Sequence, residues 1–187
     1  MPLIPKLKAY HGSIRRVNFH GVDIARLTPQ SSGHLRVHTK EIYQAPIRAT
    51  WSMYTVSDMR PGGTNGSPHL DGLHVHFGHI DNYTNYNIHA VRRDGHAKVD
   101  IEHGLRGYER VVWLSNSGIP IRMWRRYLFT LTWELDKVQL LVTNDHKPVE
   151  VVNIETELPI YGPRSGHIGF RLDNLTVYLG SLAIREI

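Results

Sequence analysis

The chain has 187 residues, 22 Lys and Arg against 17 Asp and Glu, and no cysteine, giving a formal net charge of +5. That length suits one domain, spanning residues 1–187, with a single sizeable core. The missing cysteines exclude a disulfide framework and a zinc-thiolate site. No run approaches the roughly 18 apolar residues of a spanning helix, so the sequence reads as soluble, cytoplasmic as the chain stands or secreted after loss of a signal peptide. The charge favours an anionic partner. Because the basic residues fall in small groups such as Arg15-Arg16, Arg92-Arg93 and Arg125-Arg126, with no accompanying motif, neither nucleic acid nor membrane is expected as a partner.

Residues 1–12, punctuated by Pro2, Pro5 and Gly12, read as an irregular arm. Ser13 to Leu27 and Ser32 to Thr39 read as strands around a turn at Thr28 to Gly33, with His34 and His38 as bystanders on a wet face. Between Glu41 and Val56 a long strand puts Ile47, Ala49, Trp51 and Met53 on one side and Arg48, Thr50, Ser52 and Tyr54 on the other. Residues 58–69 are too rich in Gly, Pro and Asn to be regular, and a loop of that length suits the lip of a cleft.

The most informative stretch is Leu73 to Glu102, read as three strands linked at Asp81-Asn82 and Asp94-Gly95. Alternation sends Leu73, Val75, Phe77, Tyr86, Ile88, Ala90, Ala97, Val99 and Ile101 to a buried face. His74, His76, Asn85, Asn87, His89, Lys98, Asp100 and Glu102 share the other. A one-residue slip would invert each strand, so their agreement marks a working surface. Glu109 to Leu114 is a further strand, followed by a turn at Ser115 to Pro120. Tyr127 to Leu135 alternates with Tyr127, Phe129, Leu131, Trp133 and Leu135 inward, and Val138 to Thr143 follows. Glu150 to Leu158 is ambiguous, and His167–Leu172, Leu175–Leu179 and Ser181–Arg185 close the chain. With strands recurring and no sustained helical period, the fold class is all-β, a two-sheet antiparallel sandwich of jelly-roll type.

Tyr127-Leu-Phe-Thr-Leu-Thr-Trp-Glu, Val138-Gln-Leu-Leu-Val-Thr-Asn-Asp-His, Gly166-His-Ile-Gly-Phe-Arg-Leu-Asp-Asn-Leu-Thr-Val and the closing Leu-Ala-Ile-Arg strand resemble the C-terminal half of concanavalin A-like (laminin G-like) lectin/glucanase domains. The resemblance covers roughly residues 40 to 187 and rests on strand order and rhythm; it implies a sandwich that hosts glycan-binding modules, hydrolases and lyases alike. The family's retaining glucanases carry Glu-x-Asp-x-Glu on one strand. Here that string is Lys98-Val-Asp-Ile-Glu102, with Lys98 at the nucleophile position, which disfavours that mechanism. The family's lyases use Gln-x-His where this chain has His74-Val-His76.

Two functions follow. The first is a glycan-recognition domain needing no cofactor, with Arg48, Tyr54, Asn87, Lys98, Trp113 and Trp124 as ligand contacts and a carbohydrate or other small, anionic molecule as partner. The alternative is a cofactor-independent enzyme, a lyase, a glycoside hydrolase or another small-metabolite enzyme, using His74, His76, His89, Asp100 and Glu102 for acid-base work. No metal is assigned; a set of His74, His76 and His89 is the weaker option. Trp51 and Trp133 belong to the core.

Overall fold

The computed structural model describes residues 6–19, 21–30, 33–55, 72–81, 84–92, 99–104, 108–114, 125–144, 147–160, 162–173 and 175–187. For residues 55, 89–92, 99–104, 108–114 and 147–152 only the backbone is described. The strands are β1 (Leu7–Tyr10), β2 (Gly12–Phe19), β3 (Val22–Pro29), β4 (His34–Thr39), β5 (Tyr43–Gln44), β6 (Ile47–Thr55), β7 (Gly72–His79) and β8 (Tyr86–Arg92). They continue as β9 (Val99–Gly104), β10 (Tyr108–Leu114), β11 (Arg126–Trp133), β12 (Lys137–Asn144), β13 (Lys147–Glu157), β14 (Ser165–Asp173) and β15 (Val177–Glu186).

They form two antiparallel sheets. An eight-stranded sheet runs β1-β4-β14-β7-β8-β9-β10 with β5 paired to β14, and a seven-stranded sheet runs β13-β12-β11-β6-β15-β3-β2. The all-β sandwich expected from sequence is the observed fold.

Alternation explains the core. Leu73, Val75, Phe77, Tyr86 and Ile88 of the larger sheet are fully buried, as are Ile47, Ala49, Trp51, Met53, Phe129, Leu131 and Trp133 of the smaller. The faces interlock edge to face: Trp51 against Phe170 at 5.1 Å and Phe77 against Trp133 at 5.5 Å between ring centroids. Each such side chain contributes about 1.5–3 kcal/mol by leaving water, so this double layer holds the sheets together and turns the polar halves of the strands outward.

Three expectations need correction. The irregular arm is wrong from Leu7 onward: Leu7–Tyr10 pairs with β4, because Leu7 and Ala9 alternate into the core beyond the prolines. The strand read from Ser13 to Leu27 is a hairpin, broken where Gly21 takes φ 82° and donates its N–H to Asn18 Oδ1. Leu135 stands outside β11 and is exposed, since the strand ends at Trp133. The ambiguous segment at 150–158 belongs to β13 apart from its last residue. The loop at 58–69 and the turn at 115–120 lie outside the described residues.

Candidate functional site

The outward half of the eight-stranded sheet is built in rows. Strand register puts Lys8, His38, Gly169, His76, Asn87, Glu102 and Arg110 opposite one another in a single row from β1 to β10. The neighbouring row holds Tyr10, Arg36, Arg171, His74 and His89. Four of these outward positions are not wet: His38, His74, His76 and Asn87 are buried, whereas Lys8 and Tyr10 at the β1 edge are exposed.

One end of this face is an ionic network about Asp173, which is buried. Its Oδ1 accepts from His34 Nδ1 at 2.6 Å and from Arg171 Nε at 2.9 Å, and its Oδ2 lies 3.1 Å from His74 Nε2. Burial pushes the Asp173 carboxyl up, but the contacts with His74, Arg171 and His34 outweigh it and hold the group at about 2, below its ordinary 3.8. Asn87 Nδ2 sits 3.3 Å from His74 Nδ1. With the amide donating there, His74 carries its proton on Nε2, facing the carboxylate.

At the other end three imidazoles meet. The ligand-capable atoms of His38, His76 and His79 all lie within 4.8 Å of one another, and His38 Nε2 is 3.5 Å from His76 Nδ1. Two glycines make this possible. His38 and His76 belong to strands that flank β14, so their rings meet above Gly169, where an added Cβ would collide with His38 Cδ2 and the Val37 carbonyl.

His79 should face the core by strict alternation from Phe77 to Gly78 to His79 and its neighbours, given that His74 and His76 face out. A bulge against β14 and the left-handed Gly78, φ 58°, place it beside His76 instead. A side chain at Gly78 would also press on Pro163 and Trp133.

Burial, reinforced by His79, His167 and Arg36, pushes His38 down from 6.5 to about 3. His79 falls to about 4 through burial, Arg36 and His167, with Asp81 pulling the other way. His76 lies well below 6.5, again mainly through burial, with His38, His74, His79 and Arg171 adding to it. All three are therefore neutral at pH 7, each with one lone-pair nitrogen. Neither ring nitrogen of His79 has a hydrogen-bond partner outside its own residue, and the residue is buried, 8% exposed.

Beside this cluster opens a cavity of about 500 Å³. His38, His79 and His167 form its wall nearest the triad, Tyr10 offers a ring with Lys8 Nζ 4.9 Å from its centre, and Arg36 and Lys40 add charge against Asp81, the one acid among the described lining residues. His167 is fixed by its Nδ1, 3.1 Å from the Glu41 carbonyl.

The structure thus unites His74, His76 and Asn87, and by backbone register His89 and Glu102. Asp100 and Trp113 pair in β9 and β10, with only their backbone described; Lys98 and Trp124 lie outside the described residues. Of the set His74, His76 and His89, His74 has its Nε2 turned to Asp173 and His76 joins the described cluster, while the side chain of His89 lies outside what is described.

Arg48 and Tyr54 are not part of this face. They project from β6 on the outside of the seven-stranded sheet, since Ile47, Ala49, Trp51 and Met53 point inward. There Arg48 Nε reaches Thr132 Oγ1 at 3.4 Å, and Tyr54 packs on Phe19 at 5.4 Å. His34 and His38 are not bystanders: one binds Asp173 and the other belongs to the triad. Sequence reading also passed over Tyr10, His79 and His167. A glycine inside a strand, Gly78, was the available signal for a bulge that re-aims its neighbour.

No protein-family model and no curated protein sequence matches the chain. Solved structures do match in shape. The carbohydrate binding module CBM66 from Bacillus subtilis superposes with a TM-score of 0.62 at 12% identity, covering 97% of this chain and 96% of that one. The exoplasmic/lumenal domain of VIP36, in a Ca²⁺/Man3GlcNAc-bound form, gives 0.66 at 10% identity over 98% of this chain and 85% of that one. Lectin II from Ulex europaeus gives 0.65 at 9% identity over 97% and 93%. The chain therefore has the concanavalin A-like β-sandwich fold shared by these lectins and binding modules.

Proposed function

We propose that the protein is a glycan-recognition domain that binds through the outer face of its eight-stranded sheet, at the cavity beside His38 and His79, and that it prefers anionic sugars. The observation that carries this reading is the 500 Å³ cavity lined by the buried polar groups His38, Thr39 and His79 together with Tyr10 and several cations. Its volume lies within the usual range for small-ligand sites, about 300–1,000 Å³. Tyr10 supplies a ring on which a sugar face can stack, and Lys8, Arg36 and Lys40 supply charge for a uronate carboxylate. The proteins of similar fold include a carbohydrate binding module and a domain in a Ca²⁺/Man3GlcNAc-bound form, which supports the same class of ligand.

The acid-base enzyme is less well supported. Imidazoles held near 3 and 4 are weak bases at neutral pH.

Calorimetric titration with neutral and uronate oligosaccharides tests the proposal. Binding of uronates is expected, weakened about tenfold in Tyr10→Ala, the loss of roughly 1.4 kcal/mol of stacking and contact. Affinity unchanged in both Tyr10→Ala and Lys40→Glu would refute binding at this cavity.

A further inference from the structure

We propose that His38, His76 and His79 form a transition-metal site, with zinc as the best-fitting ion, whose remaining coordination position faces the cavity. The donor set decides the class of ion. Among the described residues the donors are three imidazoles and no carboxylate, which suits zinc, copper, nickel or cobalt, whereas calcium requires a shell of oxygen atoms. An ion with Zn–N bonds of about 2.0–2.1 Å in tetrahedral geometry holds its nitrogens about 3.3 Å apart. His38 Nε2 and His76 Nδ1, at 3.5 Å, are already at that separation, and the third donor lies within 4.8 Å.

His79 supplies an independent argument. A buried ring whose nitrogens meet no hydrogen-bond partner outside their own residue is left with unmet polar capacity. Coordination would satisfy one of them. The sequence also departs from ordinary strand geometry to assemble the set: Gly169 leaves the gap in which His38 and His76 meet, and the bulge at Gly78 re-aims His79. A polar sheet face of no further use has no need of either device.

His38 and His79 both border the cavity, so an ion held by them keeps a position open on that side, as three-ligand zinc sites do. A carboxylate or hydroxyl oxygen of a bound molecule would fit there. The metal site stands on its own geometry and does not require that molecule to be a sugar.

Untagged, chelator-stripped protein titrated with zinc and, separately, cobalt should bind one equivalent per chain, with cobalt developing the visible bands of a low-coordinate nitrogen site. His38→Ala and His79→Leu should each weaken zinc by more than about a hundredfold, a loss that even outer partners of metal sites approach. His79→Leu nearly preserves volume, and its melting point with chelator present should equal or exceed that of the parent chain. Gly169→Ala, which keeps all three histidines but displaces His38, should also weaken zinc. Absence of stoichiometric binding, or zinc affinity unchanged in His38→Ala and His79→Leu, would overturn the proposal, as would a calcium site abolished by His79→Leu. None of these readouts involves sugar, so failure of the glycan reading leaves them intact.

Discussion

At the scale of single residues, Asp173 is the strongest point in the polar face. Its depressed carboxyl contributes stability that is present above the ordinary value of 3.8 and lost as pH falls through about 2. Asp173→Asn takes the carboxylate from the part-buried Arg171 contact and from the ring nitrogens of His34 and His74 that face it. The substitution should cost on the order of 3 kcal/mol in urea unfolding at neutral pH, with a smaller deficit near pH 2. The histidines titrate with the opposite logic. Folded His38 and His79 stay neutral down to about 3 and 4, while the unfolded chain protonates them near 6.5. Across that window the unfolded state holds more protons, so the chelated protein should lose stability as pH drops from 6.5 toward 4. Unfolding curves measured along that range in His38→Leu should show a shallower dependence, and an equal slope would contradict the assignment.

At the scale of elements, the decisive pieces are short. β1 spans Leu7–Tyr10 yet supplies Lys8 and Tyr10 to the cavity while Leu7 and Ala9 anchor it to the core. Leu7→Ala should therefore cost about 2–3 kcal/mol by cavity formation and weaken ligand binding by loosening Tyr10, as thermal melts and calorimetry would show together. Gly78→Ala forces a left-handed residue and presses on Trp133, so it should destabilise by about 1–3 kcal/mol and lower zinc affinity as His79 swings away.

These same elements mark where the sequence was readable. Leu73, Val75, Phe77, Tyr86 and Ile88 declare their face by period two, and the structure buries all of them. His79 did not, because the rule that places His74 and His76 outward fails across a bulge. His38 was legible as an outward residue but not as a neighbour of His76. That contact crosses β14, and nothing local records which strand lies between β4 and β7. Arg48 and Tyr54 were correctly read as outward, but they stand on the seven-stranded sheet and not beside His74 and His76, since alternation gives a side and not a layer. Prolines near the N-terminus hid β1, whose four residues carry too short a pattern to be recognised alone.

For the molecule as a whole, the sandwich presents two outer faces of different character. One carries the row from Lys8 to Arg110 through the triad, with a cavity at its side. The other sets Arg15, Arg26, Tyr178, Tyr54 and Arg126 opposite one another across β2, β3, β15, β6 and β11. Both are basic and aromatic, so net charge does not choose between them, and the choice of the eight-stranded sheet rests on its cavity and its buried polar groups. Backbone amide shift mapping by NMR during titration with a uronate oligosaccharide tests that choice most directly. The account predicts saturable shifts clustered at Tyr10, Arg36, His38, His79 and His167. Shifts centred on Arg26, Tyr54 and Tyr178, or no saturable shifts with any sugar, would contradict it.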